Sequence, residues 1–183
     1  MMKLIETGFE GLVLLEPKVF GDNRGYFMES FNLKAMKSLG LDAEFIQDNQ
    51  SSSKHGVVRG LHYQNAPYAQ TKLVRVLSGT ILDVVVDLRR DQPTFGKHYA
   101  IEISAENKRQ IYVPKGFAHG FSVLSDAAEI LYKCDDYYHP EAEGGVLYND
   151  PALKIDWGVK QELISLSEKD KKNPVLAEAI IKL

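Results

Sequence analysis

Four polar side chains fall where strand periodicity calls for apolar ones. His62 has the parity of Val58, Lys72 that of Val74 and Val76, His119 that of Phe121 and Val123, and Tyr132 that of Ala128 and Ile130. Side chains alternate across a strand with period two, so each group is expected to share an interior face with its apolar neighbours. Burying a polar group costs free energy unless something pairs with it. Two imidazoles, an amine and a phenol facing one interior therefore suggest a site that moves protons.

An unperturbed imidazole titrates at about 6.5 and accepts a proton near neutrality. His62 is the candidate general base; the competing reading is a core histidine with satisfied hydrogen bonds. Asp170, within Ser167-Glu168-Lys169-Asp170, is its candidate partner. A carboxylate on one ring nitrogen fixes the tautomer and raises basicity at the other. Tyr132 is the candidate acid, because a phenol with a pKa of about 10 stays protonated at neutral pH. The alternative is a core tyrosine bonded to a backbone carbonyl. Lys72 is the candidate stabiliser of an oxyanion, against the reading of a strand-end lysine reaching out to water. Asp83, inward with Ile81 and Val85, is expected to support His119. Arg24, Glu29 and Arg59 lie close to glycines and aromatics, and Asp22-Asn23-Arg24-Gly25 is a turn signal. Arginine offers paired donors to phosphate oxygens, so Arg24 and Arg59 read either as an anion clamp or as solvated loop. His62 is followed by Tyr63 and Gln64, without the closely spaced second histidine of barrel metalloenzymes. The ligand count therefore points to no metal.

These groups need a β scaffold to position them. Runs rich in Val, Ile, Tyr and Phe, bounded by Gly, Pro, Asn and Asp, predict strands near 12–16, 26–31, 44–52, 57–64, 70–77, 80–88, 97–103, 109–113, 118–125, 127–134 and 145–149. Many short strands between turn signals read as an antiparallel barrel or jelly roll. Asn32 is placed to cap a helix over 33–39, with Gly40 as its stop. Val175, Leu176, Ala179 and Ile180 predict a short docking helix between Pro174 and Leu183. Arg59 and His62 fall on opposite faces of a regular strand. Gly60 lies between them, so one site can use both only if the pleat breaks there.

No Pro/Gly/Ser linker divides the 183 residues, so one domain over 1–183 is expected, with 170–183 peripheral. A net charge of −3 offers neither a nucleic-acid footprint nor a polybasic membrane patch. Apolar runs such as Leu12 to Leu15 and Val84 to Val86 are far too short to cross a bilayer. The N-terminus lacks an apolar stretch of signal-peptide length, which predicts a cytoplasmic protein. Cys134 is the only cysteine, so no internal disulfide forms; it reads as a bystander, not a nucleophile.

The same residues carry a family resemblance. Arg59-Gly60-Leu61-His62-Tyr63-Gln64, Lys72-Leu73-Val74-Arg75-Val76 and Asp83-Val84-Val85-Val86-Asp87-Leu88-Arg89 resemble the dTDP-4-dehydrorhamnose 3,5-epimerases. So do Pro114 through Ser125, Tyr132-Lys133, Asn149-Asp150-Pro151 and Ser167 through Asp170, and the motifs run in order from Gly8 to Pro174. The resemblance implies an all-β, cupin-like double-stranded β-helix (jelly roll) that forms a homodimer by exchanging N-terminal strands. It implies no cofactor and no metal. The implied reaction inverts C3 and C5 of dTDP-4-dehydro-6-deoxy-D-glucose, on the route to dTDP-rhamnose. His62 matches the base held by Asp170, Tyr132 the acid, and Lys72 the residue near the C4 carbonyl. Arg24, Glu29, Gln47, Asn49, Arg59, His119, Glu143 and Lys169 match positions that contact nucleotide or sugar, and Tyr138 matches a residue that stacks on the base. A related epimerase acting at C3 or C5 alone shares most of this set. A silent nucleotide-sugar-binding jelly roll and a metal-dependent oxygenase are the readings from other classes. His98, Tyr148 and Gly158 depart from the family pattern at positions that bear on packing.

Overall fold

β-Branched and aromatic residues gather in short runs broken by glycine, proline and aspartate, and these runs form the strands. The computed structural model describes residues 2–183. The chain passes through β1 (Lys3–Glu6), β2 (Val13–Glu16), β3 (Val19–Asp22), β4 (Gly25–Met28), α1 (Leu33–Ser38), β5 (Gln47–Lys54) and β6 (Val58–Gln64). It continues through β7 (Lys72–Ser78), β8 (Thr80–Asp87), β9 (His98–Ser104), β10 (Gln110–Val113), β11 (Phe117–Val123), β12 (Ala127–Cys134) and β13 (Glu143–Gly145). One sheet has the order β1-β2-β10-β7-β12-β5, the other β13-β6-β11-β8-β9, and β3 with β4 makes a separate hairpin. The architecture is all-β, a cupin-like jelly roll.

The two sheets face each other. Leu14, Val74, Val76, Ile111 and Ile130 from the first meet Ile81, Val85, Ile103, Phe121 and Val123 from the second. Tyr148, Leu153, Trp157 and Leu176 cover the outer face of the second sheet over Val58, Leu61 and Val84. Met36 of α1 and Leu41 pack with Val13, Leu15, Leu73 and Tyr112 of the first. Asn32 Oδ1 accepts from Ala35 N at 3.0 Å, as its capping position predicts. Gly40 follows the helix with φ +78°.

Two expectations about the elements need correction. The docking helix at the C-terminus does not form beyond one turn, closed by Ala179 N to Val175 O at 3.1 Å. Leu176 and Ala179 are buried as their spacing requires. The backbone there bonds to its surroundings instead: Leu176 N to Asp150 Oδ2, Ala66 N to Lys182 O, and Lys182 N to Asn65 Oδ1. A ten-residue helix is marginal in its own right, so these outside partners win. The strand expected at 145–149 is β13, which ends at Gly145 and pairs with β6. β1 and β3 carried no expectation; both have four residues, and every residue of β3 is exposed.

The pleat does break at Gly60. His119 pairs with His62 and Phe121 with Arg59, so Gly60 and Leu61 together oppose Gly120 alone. This is a β-bulge. It overturns the expectation that His62 shares a face with Val58. Val58, Leu61 and Tyr63 pack in the outer cluster, while Arg59 and His62 pair with Phe121 and His119, which share one face of β11. A Cβ on Gly60 would lie 2.6 Å from Gly120 Cα, and one on Gly120 would lie 2.7 Å from Arg59 O. Gly60 also has φ +131°, a conformation that favours glycine. Gly60→Ala is expected to destabilise the protein by at least about 2 kcal/mol. A thermal melt should show Tm falling by about 4–8 °C for a chain of this length.

Candidate active site

A cleft of about 320 Å³ opens between the sheets. β5 lines it with Gln47 and Asn49, β6 with His62, Tyr63 and Gln64, β7 with Lys72, β12 with Tyr132 and β13 with Glu143; the loop residues Gln70 and Tyr138 complete it. His62 therefore enters from one sheet, and Tyr132 and Lys72 from the other. Tyr132 sits in register between Asn49 and Val74, and Lys72 is paired with Cys134.

His62 Nε2 lies 2.5 Å from Asp170 Oδ1. Asp170 opens a 3-10 turn, Asp170–Lys172, and its own N–H donates to Ser167 Oγ at 3.0 Å. An ionised carboxylate only accepts, so the ring proton resides on Nε2 and Nδ1 keeps the free lone pair. Burial acting alone would raise the Asp170 carboxyl. The hydrogen bond and charge of His62, with Ser167 and the Gly60 N–H, outweigh it and hold the group below the usual carboxylate value. The arrangement is an imidazole oriented by a buried acid.

Neither the Tyr132 hydroxyl nor the Lys72 ammonium hydrogen-bonds another described residue. Burial pushes the Tyr132 phenol above its ordinary value; Cys134 and Glu143 add to the rise and Arg59 opposes it. The phenol is therefore a proton donor throughout the neutral range. Burial pushes Lys72 down from the usual lysine value, partly offset by Cys134, Glu143 and Asp83. Cys134 is buried, burial raises its thiol, and its Sγ accepts from Asn49 Nδ2 at 3.7 Å.

His119 and Asp83 form a second pair, with Nε2 to Oδ2 at 2.8 Å. Both are buried, and His119 lies beside His62 across the β11–β6 register. Glu143 Oε2 accepts from Tyr138 Oη at 2.6 Å and from Lys169 Nζ. Burial would raise the Glu143 carboxyl, but these two donors and the charges of Lys169 and His62 leave it lowered. Arg59 donates from Nε to Ser53 Oγ at 3.0 Å. With Lys169, Asp170 and Ser167 it lines a hollow of about 340 Å³ that shares His62 with the cleft.

Arg24 and Glu29 do not reach this cleft within the chain. Arg24 sits at the tip of the β3–β4 hairpin, its side chain 85% exposed, paired with Asp22 at 2.6 Å. Glu29 Oε2 accepts from Asn32 Nδ2 at 3.1 Å beside the helix start. Their expected place beside the other site residues is therefore not met by one copy of the chain. Sequence reasoning gave no role to three cleft residues: Tyr63, Gln64 and Gln70. A signal for two of them was present, since Gln64 has the parity of His62 and Gln70 that of Lys72.

The family model described as dTDP-4-dehydrorhamnose 3,5-epimerase matches residues 6–178. A dTDP-4-dehydrorhamnose 3,5-epimerase of Shigella flexneri is 52% identical over 170 residues, covering 92% of this chain and 93% of that protein. The crystal structure of the enzyme of that name from Elizabethkingia anophelis superposes with TM-score 0.93 at 51% identity, covering 97% of each chain. A dTDP-6-deoxy-D-glucose-3,5-epimerase from Legionella pneumophila, in complex with dTDP-4-keto-L-rhamnose, gives TM-score 0.93 at 49% identity over 97% of this chain and 94% of that one. With a match of that extent resting on a cleft that presents an acid-held imidazole, a free phenol and a lysine, the chain belongs to the dTDP-4-dehydrorhamnose 3,5-epimerase family of isomerases.

Proposed function

We propose that this chain inverts C3 and C5 of dTDP-4-dehydro-6-deoxy-D-glucose to give dTDP-4-dehydro-L-rhamnose, for dTDP-rhamnose biosynthesis. Both carbons flank the C4 ketone, so one carbonyl acidifies both C–H bonds. His62 Nδ1 takes the proton, and the C–H electron pair moves into the ring as the C4 oxygen becomes an enolate. Lys72 stabilises that oxygen. Tyr132 returns a proton to the same carbon from the opposite ring face, and the phenolate recovers its proton from solvent. His62, now protonated, releases its proton to solvent, and the cycle repeats at the second carbon. No electron leaves the sugar, so the chemistry needs no redox cofactor. The observation that carries this reading is that His62 and Tyr132 enter one cleft from two facing sheets.

Arg59, Lys169 and His119 are suited to the diphosphate and sugar, and Gln47, Asn49, Tyr138 and Glu143 to the nucleotide end; Asp83 supports His119. Arg24 and Glu29 join the site in a homodimer, carried by the N-terminal hairpin of the second copy. Support comes from that hairpin's exposed aromatics: Phe20 is 53%, Tyr26 58% and Phe27 69% exposed. An apolar face of this kind marks an interface. The enzyme works in the cytoplasm, with neither nucleic acid nor membrane as a partner.

The test incubates the 4-keto sugar nucleotide with the protein in heavy water and follows C3 and C5 by NMR. Deuterium at both carbons with inverted configuration is the expected result. Label at one carbon makes the protein a single-centre epimerase, and label at neither ends the assignment.

A further inference from the structure

Residues 136–139 link β12 to the 3-10 turn Pro140–Ala142 and belong to no strand or helix. Their backbone groups are nevertheless bonded, and by side-chain amides. Gln70 Nε2 donates to Asp136 O at 2.8 Å and Tyr137 O at 3.0 Å. Gln64 Nε2 donates to the same Tyr137 O at 3.2 Å and to Tyr68 O at 2.7 Å, and its Oε1 accepts from His139 N at 2.7 Å. Gln47 Oε1 accepts from Tyr138 N at 3.1 Å. Four consecutive residues are thus tied down by three glutamines, and all three glutamines line the cleft. A primary amide combines two donors with an acceptor, and buried Gln64 uses all of them.

We propose that Gln64 and Gln70 are positioning residues that hold 136–139, and through it Tyr138 and its partner Glu143, as a fixed wall for the nucleotide end of the substrate. The proposal rests on the reading of Tyr138 as a nucleotide contact. Untethered, the segment must order itself each time substrate binds, and that ordering weakens affinity. None of these glutamine hydrogen bonds involves His62 or Tyr132, the groups that move the proton. The glutamines therefore act on KM and not on kcat.

Thymidine diphosphate binding by calorimetry tests this, with KM and kcat on the sugar nucleotide and a thermal melt of every variant. Gln70→Ala is expected to weaken thymidine diphosphate about tenfold, the scale set by the loss of two hydrogen bonds. KM should rise to match, and kcat should stay within about threefold. Tyr138→Ala should weaken binding too, and Gln70→Ala added to it should weaken binding no further, because the glutamine works through the tyrosine. Gln64→Glu keeps the size but turns carboxylate oxygens on two carbonyls, and should behave like Gln70→Ala; if it does not fold, the Gln70 series decides. Additive losses, or a fall in kcat at unchanged KM, overturn the proposal. An effect of Tyr138→Ala with none from Gln70→Ala overturns it alone. Unchanged affinity in Tyr138→Ala overturns both the proposal and the Tyr138 contact beneath it.

Discussion

His62→Ala is expected to lower kcat by at least about 10³-fold, within the range for loss of a positioned general base. That is about 4 kcal/mol of transition-state stabilisation. KM should change little, since the free Nδ1 acts on a C–H bond and contributes mainly once that bond begins to break. Solvent deuterium should no longer enter either carbon, which proton NMR reads directly. Asp170→Asn should fall nearly as far at constant size. An asparagine amide can donate to Nε2, which moves the ring proton to Nδ1 and removes the lone pair the reaction needs. Deuterium uptake at the wild-type rate in His62→Ala would refute the base assignment.

Tyr132→Phe should slow formation of the inverted product by about 10²-fold or more. Its deuterium behaviour should differ from that of His62→Ala. The imidazole still removes the proton, exchanges it with solvent and returns deuterium to the face it came from. Label then accumulates in unreacted substrate of unchanged configuration. The hydroxyl forms no hydrogen bond to another described residue, so its removal leaves no protein group unpaired and the melt should barely move. Loss of exchange and inversion in equal measure would place Tyr132 on the proton-removal side and overturn its role as the acid.

Much of the scaffold was legible because burial and chemistry both follow local periodicity. The alternation through Lys72, Val74 and Val76, and through Ala128, Ile130 and Tyr132, gave the right face without knowledge of the partner strands. The Asn32 cap was readable because it is a contact across three residues. The tail was misread because Val175, Leu176, Ala179 and Ile180 suit a helix, and nothing local reveals that Asp150 and Asn65 bind its backbone. The pairing of His62 with Asp170 spans 108 residues and was beyond any window of the sequence; the family resemblance supplied it. Gly60 is the local mark of the bulge that takes Val58 off the face of His62, because the extra residue there reverses the parity of the strand. Arg24 and Glu29 show the limit of a single chain. Arg24 sits exposed at the tip of the β3–β4 hairpin and Glu29 lies beside the start of α1, and neither lines this copy's cleft.

Contact between the main chains at Gly60 and Gly120 bears on redesign of the enzyme. The close approach of the segment carrying the imidazole to β11 depends on two residues without side chains, so a side chain at either position would push the two strands apart. Libraries aimed at new sugars should therefore leave 60 and 120 untouched, and should keep Gln47 as well, because its Oε1 holds Tyr138 N.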